Sequence, residues 1–349
     1  MVSAHAVKNT RFGQFEVAFA VDSALPAWLV CVRQAATHAM KLSLFLALLA
    51  IPISAQVANA GLPPASFAYV LQADALATTK SAAVEQLATC GRDWIVLDAV
   101  FGNGTSWEPA DIAAIRRGQP GRKVIAYISI GEAEDYRLYW RKEWGSRGKL
   151  TKVAPAWLGA ENPEWKGNYR VKYWHPDWQK LMLAAIDDTM KCGFDGVYLD
   201  IVDGFESFEQ DGAEFIDNRV NPETKQTFRR DMVDWVKAIA THARAKNPDA
   251  LVIPQNGSQL LAQADFLAVI SAIGVEDVFT DGNKLQSKSH TREVIAQLKN
   301  MAVLQKPVLV IEYPKSDGRQ AQAKKLAKAN GMIWLITDRQ LKTVGNSGS

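Results

Sequence analysis

The chain has 349 residues, 48% of them hydrophobic, with 40 Lys+Arg against 37 Asp+Glu and a formal charge of +3. That supplies a large core, and a charge so nearly balanced argues against the basic face or stripe of a nucleic-acid-binding protein. Residues 1–60 hold four of the basic and two of the acidic side chains, so the remainder stands at 36 against 35 and is closer still to neutral.

Residues 1–39 show no clear periodicity and are expected to be a disordered or untranslated leader, with translation starting at Met40. Met40-Lys41, an apolar run over residues 42–53 and Ala58-Asn59-Ala60 before Gly61 have the layout of a secretory signal peptide over residues 40–60. The apolar run is short for a membrane span. The alternative is an uncleaved anchor with a cytoplasmic tail, which the cleavage-site pattern disfavours. The expected product is secreted or periplasmic, with no membrane anchor after cleavage. It is expected to be a monomer with a folded domain over residues 61–340 and a disordered tail over 341–349.

From residue 67 onward strand and helix patterns alternate. Candidate strands are 67–72, 94–100, 123–130, 169–174, 196–202, 251–256, 266–273, 307–313 and 332–337, with 169–174 the weakest because its charged, aromatic sequence equally suits a loop. Apolar residues at three- and four-residue spacing mark helices over 81–90, 177–191, 224–246, 291–305 and 320–330. The apolar runs ending at Asp98, Glu132 and Glu134, Asp200, and Glu312 are nearly continuous, as in parallel strands buried on both faces. An acid at each end and regular strand–helix alternation predict an α/β fold, a single (β/α)8 barrel of the TIM type, with its acids gathered at the C-terminal ends of the strands.

The chemistry follows from what is scarce and what is abundant. There is no G-x-G-x-x-G, G-x-x-x-x-G-K-[ST] or G-x-S-x-G motif. Beyond residue 60 the histidines are His175, His242 and His290, too dispersed to suggest a metal centre, and no metal or cofactor is expected. Cys90 and Cys192 each precede a glycine and read as two separate thiols rather than a pair. Carboxylates are abundant, and glycosidic hydrolysis needs two, one ionised and one protonated. Trp107, Trp140, Trp144, Trp157, Trp165, Trp174 and Trp178 lie in or beside the loops on the acid-bearing side, where aromatic faces suit sugar rings.

The runs Ala126-Tyr127-Ile128-Ser129-Ile130-Gly131-Glu132-Ala133-Glu134, Val171-Lys172-Tyr173-Trp174, Gly196-Val197-Tyr198-Leu199-Asp200-Ile201-Val202-Asp203, Pro254-Gln255-Asn256-Gly257 and Ile273-Gly274-Val275-Glu276-Asp277 occur in this order. Together they resemble glycoside hydrolase family 114, a group of secreted TIM barrels that includes endo-α-1,4-polygalactosaminidases. The resemblance implies hydrolysis of an α-1,4-linked galactosamine polymer of the kind found in biofilms and fungal walls. It makes Asp200 the ionised catalytic carboxylate. Gln259 stands where some relatives place a glutamate, so the acid falls to Glu276, with Glu312 as second candidate. Asp98, Tyr127, Glu132, Glu134, Tyr173, Trp174, Asp203 and Asn256 are expected to bind substrate. A barrel that binds carbohydrate but has lost its acid is the alternative, and a metal-dependent hydrolase is a third.

Overall fold

The computed structural model describes residues 63–349 apart from 103 and 147. The leader and the signal peptide expected over residues 1–60 lie outside the described residues. Parallel strands follow in chain order: β1 (Phe67–Val70), β2 (Trp94–Asp98), β3 (Lys123–Ser129), β4 (Gly196–Asp200), β5 (Leu251–Pro254), β6 (Ile273–Glu276), β7 (Val308–Glu312) and β8 (Ile333–Ile336). Between them run helices α1 (Lys80–Thr89), α2 (Pro109–Arg117), α3 (Pro176–Lys191), α4 (Phe228–Lys246), α5 (Ala264–Val269), α6 (Lys288–Val303) and α7 (Asp317–Ala329). Local signals set the helix starts. Thr79, Thr227 and Ser287 accept the backbone N–H groups of Ala82, Arg230 and His290, and proline occupies the first turn of α2 and α3.

Strands β1 to β5 form one parallel sheet and β6 to β8 another, with a bridge between Gln255 and Gly274 joining them. The side chains alternate with the strand period of two. One set, Phe67, Tyr69, Trp94, Val96, Ile125, Tyr127, Tyr198, Ile253, Leu309, Ile311, Tyr313, Ile333 and Leu335, meets in a single buried interior. The other set packs outward under the helices. Ile95, Leu97, Val124 and Ala126 lie against Leu87 of α1 and Ile112 and Ile115 of α2. Val197, Leu199, Val252, Val275, Val308 and Val310 join the large cluster containing α3, α4 and α6.

No backbone ladder links β8 to β1 among the described residues. The chain's end lies there instead. Asn346–Gly348 pairs antiparallel with β8, Ser347 Oγ accepts the Phe67 N–H at 2.9 Å, and the Leu341 carbonyl accepts Leu71 and Gln72. This corrects the expectation of a disordered tail over 341–349, since an otherwise open strand edge gives even a glycine- and serine-rich segment backbone groups to pair with. Two strand expectations change as well. Residues 266–269 are helical within α5 and β6 begins only at Ile273, an ambiguity inherent in a short, wholly apolar run. Asn168–Val171 is a strand of a separate antiparallel sheet with Glu132–Glu134 and Leu158–Glu161, carried by the long connection after β3.

The alternation also corrects the reading of Glu312. Leu309, Ile311 and Tyr313 face the interior, so Glu312, with Val308 and Val310, faces outward. Its fully buried carboxylate accepts the backbone N–H groups of Phe279 (2.7 Å) and Thr280 (2.9 Å) and the Thr280 hydroxyl. It anchors the hairpin of Thr280–Asp281 and Lys284–Leu285. Glu312→Ala strands three buried donors and is expected to cost about 3 kcal/mol or more of stability, measured by urea unfolding.

Candidate active site

By the same alternation Asp98 follows Trp94 and Val96, Asp200 follows Tyr198, and Glu276 follows Gly274, so these three acids lie on the interior side at the C-terminal ends of β2, β4 and β6. Gly274 is required there. A Cβ at this position would come within 1.7 Å of Tyr198 Oη and 2.4 Å of Gln255 Oε1, which bond to each other above it. Just past the tips, Ile201, Asn256 and Asp277 all take left-handed backbone conformations. For β-branched Ile201 this stores strain of order 1–3 kcal/mol directly beside Asp200.

Asp200 Oδ2 accepts the Tyr127 hydroxyl at 2.6 Å. Burial pushes the Asp200 carboxyl above its usual range, while that hydroxyl and the Ile201 backbone N–H pull it back. Glu276 Oε1 accepts the Tyr313 hydroxyl, and the Glu276 N–H donates to Asn256 Oδ1 at 3.2 Å. Burial first, and then the fields of Asp200 and Asp277, push Glu276 up to about 7 against the Tyr313 bond and Arg339. Burial raises both carboxyls, and Glu276 holds a proton into the neutral range.

Asp98 and Glu134 share one cation. Arg137 forks onto Asp98 at 2.6 and 2.8 Å, and its Nε donates to Glu134 at 2.6 Å. Tyr136 Oη also donates to Glu134. Glu132 has amides instead, Asn162 at 2.8 Å and Asn168 at 3.4 Å, and burial raises its carboxyl. Asp203 sits in the turn Val202–Phe205 after β4, where burial and then Glu206 and Asp200 push its carboxyl well up. The amide of Gln259 donates to Glu206 at 2.6 Å.

Other residues expected to contact substrate have partners within the fold. Tyr173 is fully buried and its hydroxyl donates to the Phe228 carbonyl at 2.7 Å. Trp174 packs on Phe208 and Phe228 and donates to Glu223 at 2.9 Å. The loop tryptophans pack one on another and onto the large outer core, Trp140 on Trp144, Trp144 on Trp157 and Trp157 on Trp178, with Trp178 Nε1 donating to the Ile130 carbonyl. Within the set only Trp165 is strongly exposed, at 44%. Cys90 and Cys192 are free thiols. Tyr69, Tyr313 and Arg137 were not singled out from sequence. The alternation of β1 and β7 could have found the two tyrosines, whereas nothing local marks Arg137.

Comparison with known proteins places this geometry. The chain is 37% identical over 249 residues to an uncharacterized protein of Deinococcus radiodurans, covering 71% of this chain and 73% of that one. It is 35% identical over 238 residues to an uncharacterized protein of Methanocaldococcus jannaschii, covering 67% and 64%. The fold is similar to that of the glycoside hydrolase domain of PelA from Pseudomonas aeruginosa, with a TM-score of 0.56 and 18% identity over 81% of this chain and 98% of that domain. It is also similar to Aspergillus fumigatus Ega3, solved in complex with galactosamine, with a TM-score of 0.55 and 17% identity over 80% and 94%. Residues 52–348 match glycoside-hydrolase family GH114, and the chain belongs to that family.

Proposed function

We propose that this protein is a secreted glycosidase that cleaves an α-1,4-linked galactosamine polymer, with Glu276 as general acid and Asp200 as the ionised partner. The observation that carries the reading is the placement of Asp200 and Glu276 on the interior side of their strand ends, each bonded by a tyrosine hydroxyl. Glu276, pushed up to about 7, keeps a proton to give, while Tyr127 and the Ile201 N–H offset part of the burial that raises Asp200. In hydrolysis the bond between the anomeric carbon and the glycosidic oxygen breaks and Glu276 protonates that oxygen. Asp200 either attacks the anomeric carbon or takes a proton from the attacking water, and water supplies the new hydroxyl. Tyr127 and Tyr313 orient the two carboxyls. Support for an amino sugar is electrostatic. Glu132, bonded to neutral amides, and Asp203 supply the mouth with carboxyl oxygens that can accept hydrogen bonds from an ammonium group, and such a cation beside them would favour their ionised forms. Asp98, Glu134 and Asn256 would complete the substrate's surroundings. Secretion rests on the signal-peptide layout of residues 40–60, and among the described residues no helix is long and apolar enough to cross a membrane.

Incubation with partially deacetylated α-1,4-galactosaminogalactan should release new reducing ends. Asp200→Asn and Glu276→Gln should each lower kcat by roughly a hundredfold to ten-thousandfold. Binding of the polymer without cleavage by the wild-type protein would instead favour the carbohydrate-binding reading. The pH profile of kcat/KM should fall on its alkaline side near pH 7 as Glu276 ionises, and Glu276→Gln should abolish that limb along with most of the activity.

Stability reports the same proton. Folding raises Glu276 from 4.5 to about 7, so the folded chain binds a proton that the unfolded chain releases between those values. The stabilising contribution of that proton is full below pH 4.5 and is lost as pH rises through 7. Relative to wild type, Glu276→Gln should therefore be more stable at pH 8 than at pH 4 by about 2–3 kcal/mol, read from urea midpoints at the two pH values.

A further inference from the structure

We infer that Arg339 is a positioning residue for Glu276, holding the ring of Tyr313 and the turn at Asp277 so that the Tyr313 hydroxyl stays on the Glu276 carboxyl. The inference rests on the reading of Glu276 as the acid. Arg339 belongs to the segment after β8, remote in sequence from β6 and β7. Its guanidinium lies 4.1 Å from the Tyr313 ring centroid and forks onto both oxygens of Asp277 at 2.7 and 2.9 Å. A planar fork can hold a carboxylate edge-on while its face covers an aromatic ring, which an ammonium group cannot do.

The turn that Arg339 clamps needs holding. Asp277 is left-handed at φ 53°, its N–H donates to the Ile311 carbonyl at 3.1 Å, and its carbonyl accepts Gln286. Tyr313 stands at the interior end of β7 with only its hydroxyl to place, and that hydroxyl meets Glu276. One side chain thus fixes the residue following Glu276 and the phenol bonded to it. The segment carrying Arg339 is itself secured, with the Asp338 carboxylate accepting the Gln340 and Lys342 N–H groups and the Leu341 carbonyl accepting Leu71 and Gln72 from the end of β1.

The ionisable groups acting on Glu276 are Tyr69 from β1, Tyr198 and Asp200 from β4, Asp203 from the following turn, Tyr313 from β7, Asp277 beside it and Arg339. Arg339 is the cation of the set. Removing it and removing Asp277 must therefore move the Glu276 proton in opposite senses, whereas a general loosening of the site would move both alike.

The test uses the full chain with carboxyl-labelled glutamate, following the Glu276 side-chain signal by NMR titration, alongside kcat and KM on galactosaminogalactan. Arg339→Gln should shift the Glu276 midpoint upward by about one pH unit and Asp277→Asn should shift it downward by about as much. Asparagine tolerates the left-handed backbone, so the second variant keeps the fold. Arg339→Gln should lower kcat about tenfold with KM little changed and carry the alkaline limb upward, and Arg339→Lys should return the limb but not the full kcat. Midpoints unchanged in both variants, or displaced in the same direction, would overturn the inference. If the wild-type protein cleaves nothing, the glycosidase reading fails while the titration still decides whether Arg339 governs Glu276.

Discussion

Burial of both faces of the parallel strands is the constraint on which the rest of this structure depends. With apolar residues wanted inside and outside alike, composition along a strand no longer tells the faces apart, and the period of two alone decides which residue points where. The interior set runs through Tyr69, Tyr127, Tyr198 and Tyr313, and the acids sharing its phase are Asp98, Asp200 and Glu276. Glu312 is one residue out of phase and is buried against a hairpin, while its neighbour Tyr313 reaches the site. A shift of a single position separates a site residue from a structural anchor.

Crowding carboxylates in a buried mouth is unfavourable unless each has a partner, and the partners sort the acids by role. Arg137 compensates Asp98 and Glu134, and Arg339 compensates Asp277. Glu132 has only amide donors. Among the described residues Asp200 and Glu276 are each bonded by a tyrosine hydroxyl and by no cation, so their protonation is set by burial, by that hydroxyl and by the fields of nearby charges, Arg339 included for Glu276. On the proposed reading, a pair that exchanges protons with a substrate has to be left in that condition, because a salt bridge would fix its charge. The division between ion-paired and phenol-bonded acids then separates the scaffold of the mouth from its proposed chemistry.

The parallel α/β character and most of the strands were legible in the sequence, because near-continuous apolar runs that each end in an acid suit strands covered on both faces and suit little else. Asp200 was legible as a candidate for the same reason, whereas Glu276 came from the family resemblance, its strand having been placed at 266–273. What could not be read was direction. Glu312 and Asp200 look alike as strand-terminal acids, and separating them requires knowing which set of alternating residues faces inward, information carried by neighbouring strands. The tryptophans misled differently. Aromatic residues in loops suggest a ligand when loops are thin coverings, but the connection after β3 is long enough to fold its own antiparallel sheet, which packs onto the shared outer core. Trp140, Trp144, Trp157 and Trp178 fasten it there. The tail was misread because its glycine and serine content describes an isolated chain, whereas the open edge of β8 recruits its backbone.

That packed connection bears on function through rigidity. Glu132 and Glu134 stand on the edge strand of its sheet, level with Arg170 and Asn168 of the neighbouring strand, and Arg137 follows within a turn. Side chains on a paired strand over a packed aromatic layer hold their places better than side chains on a free loop. Arg137 then crosses from this sheet to Asp98 at the tip of β2, so the added sheet and the parallel strands are fastened at the very point where the acids converge. The left-handed turns at Ile201, Asn256 and Asp277 occupy the other side of the mouth, at the ends of β4, β5 and β6. Such backbone persists only where the surroundings over-determine it. Ion pairs and a packed sheet on one side, and clamped turns on the other, hold Asp200 and Glu276 in fixed positions before any substrate arrives. On the proposed reading, fixed dipoles and proton donors of this kind need no reorganisation as charge develops on the sugar ring.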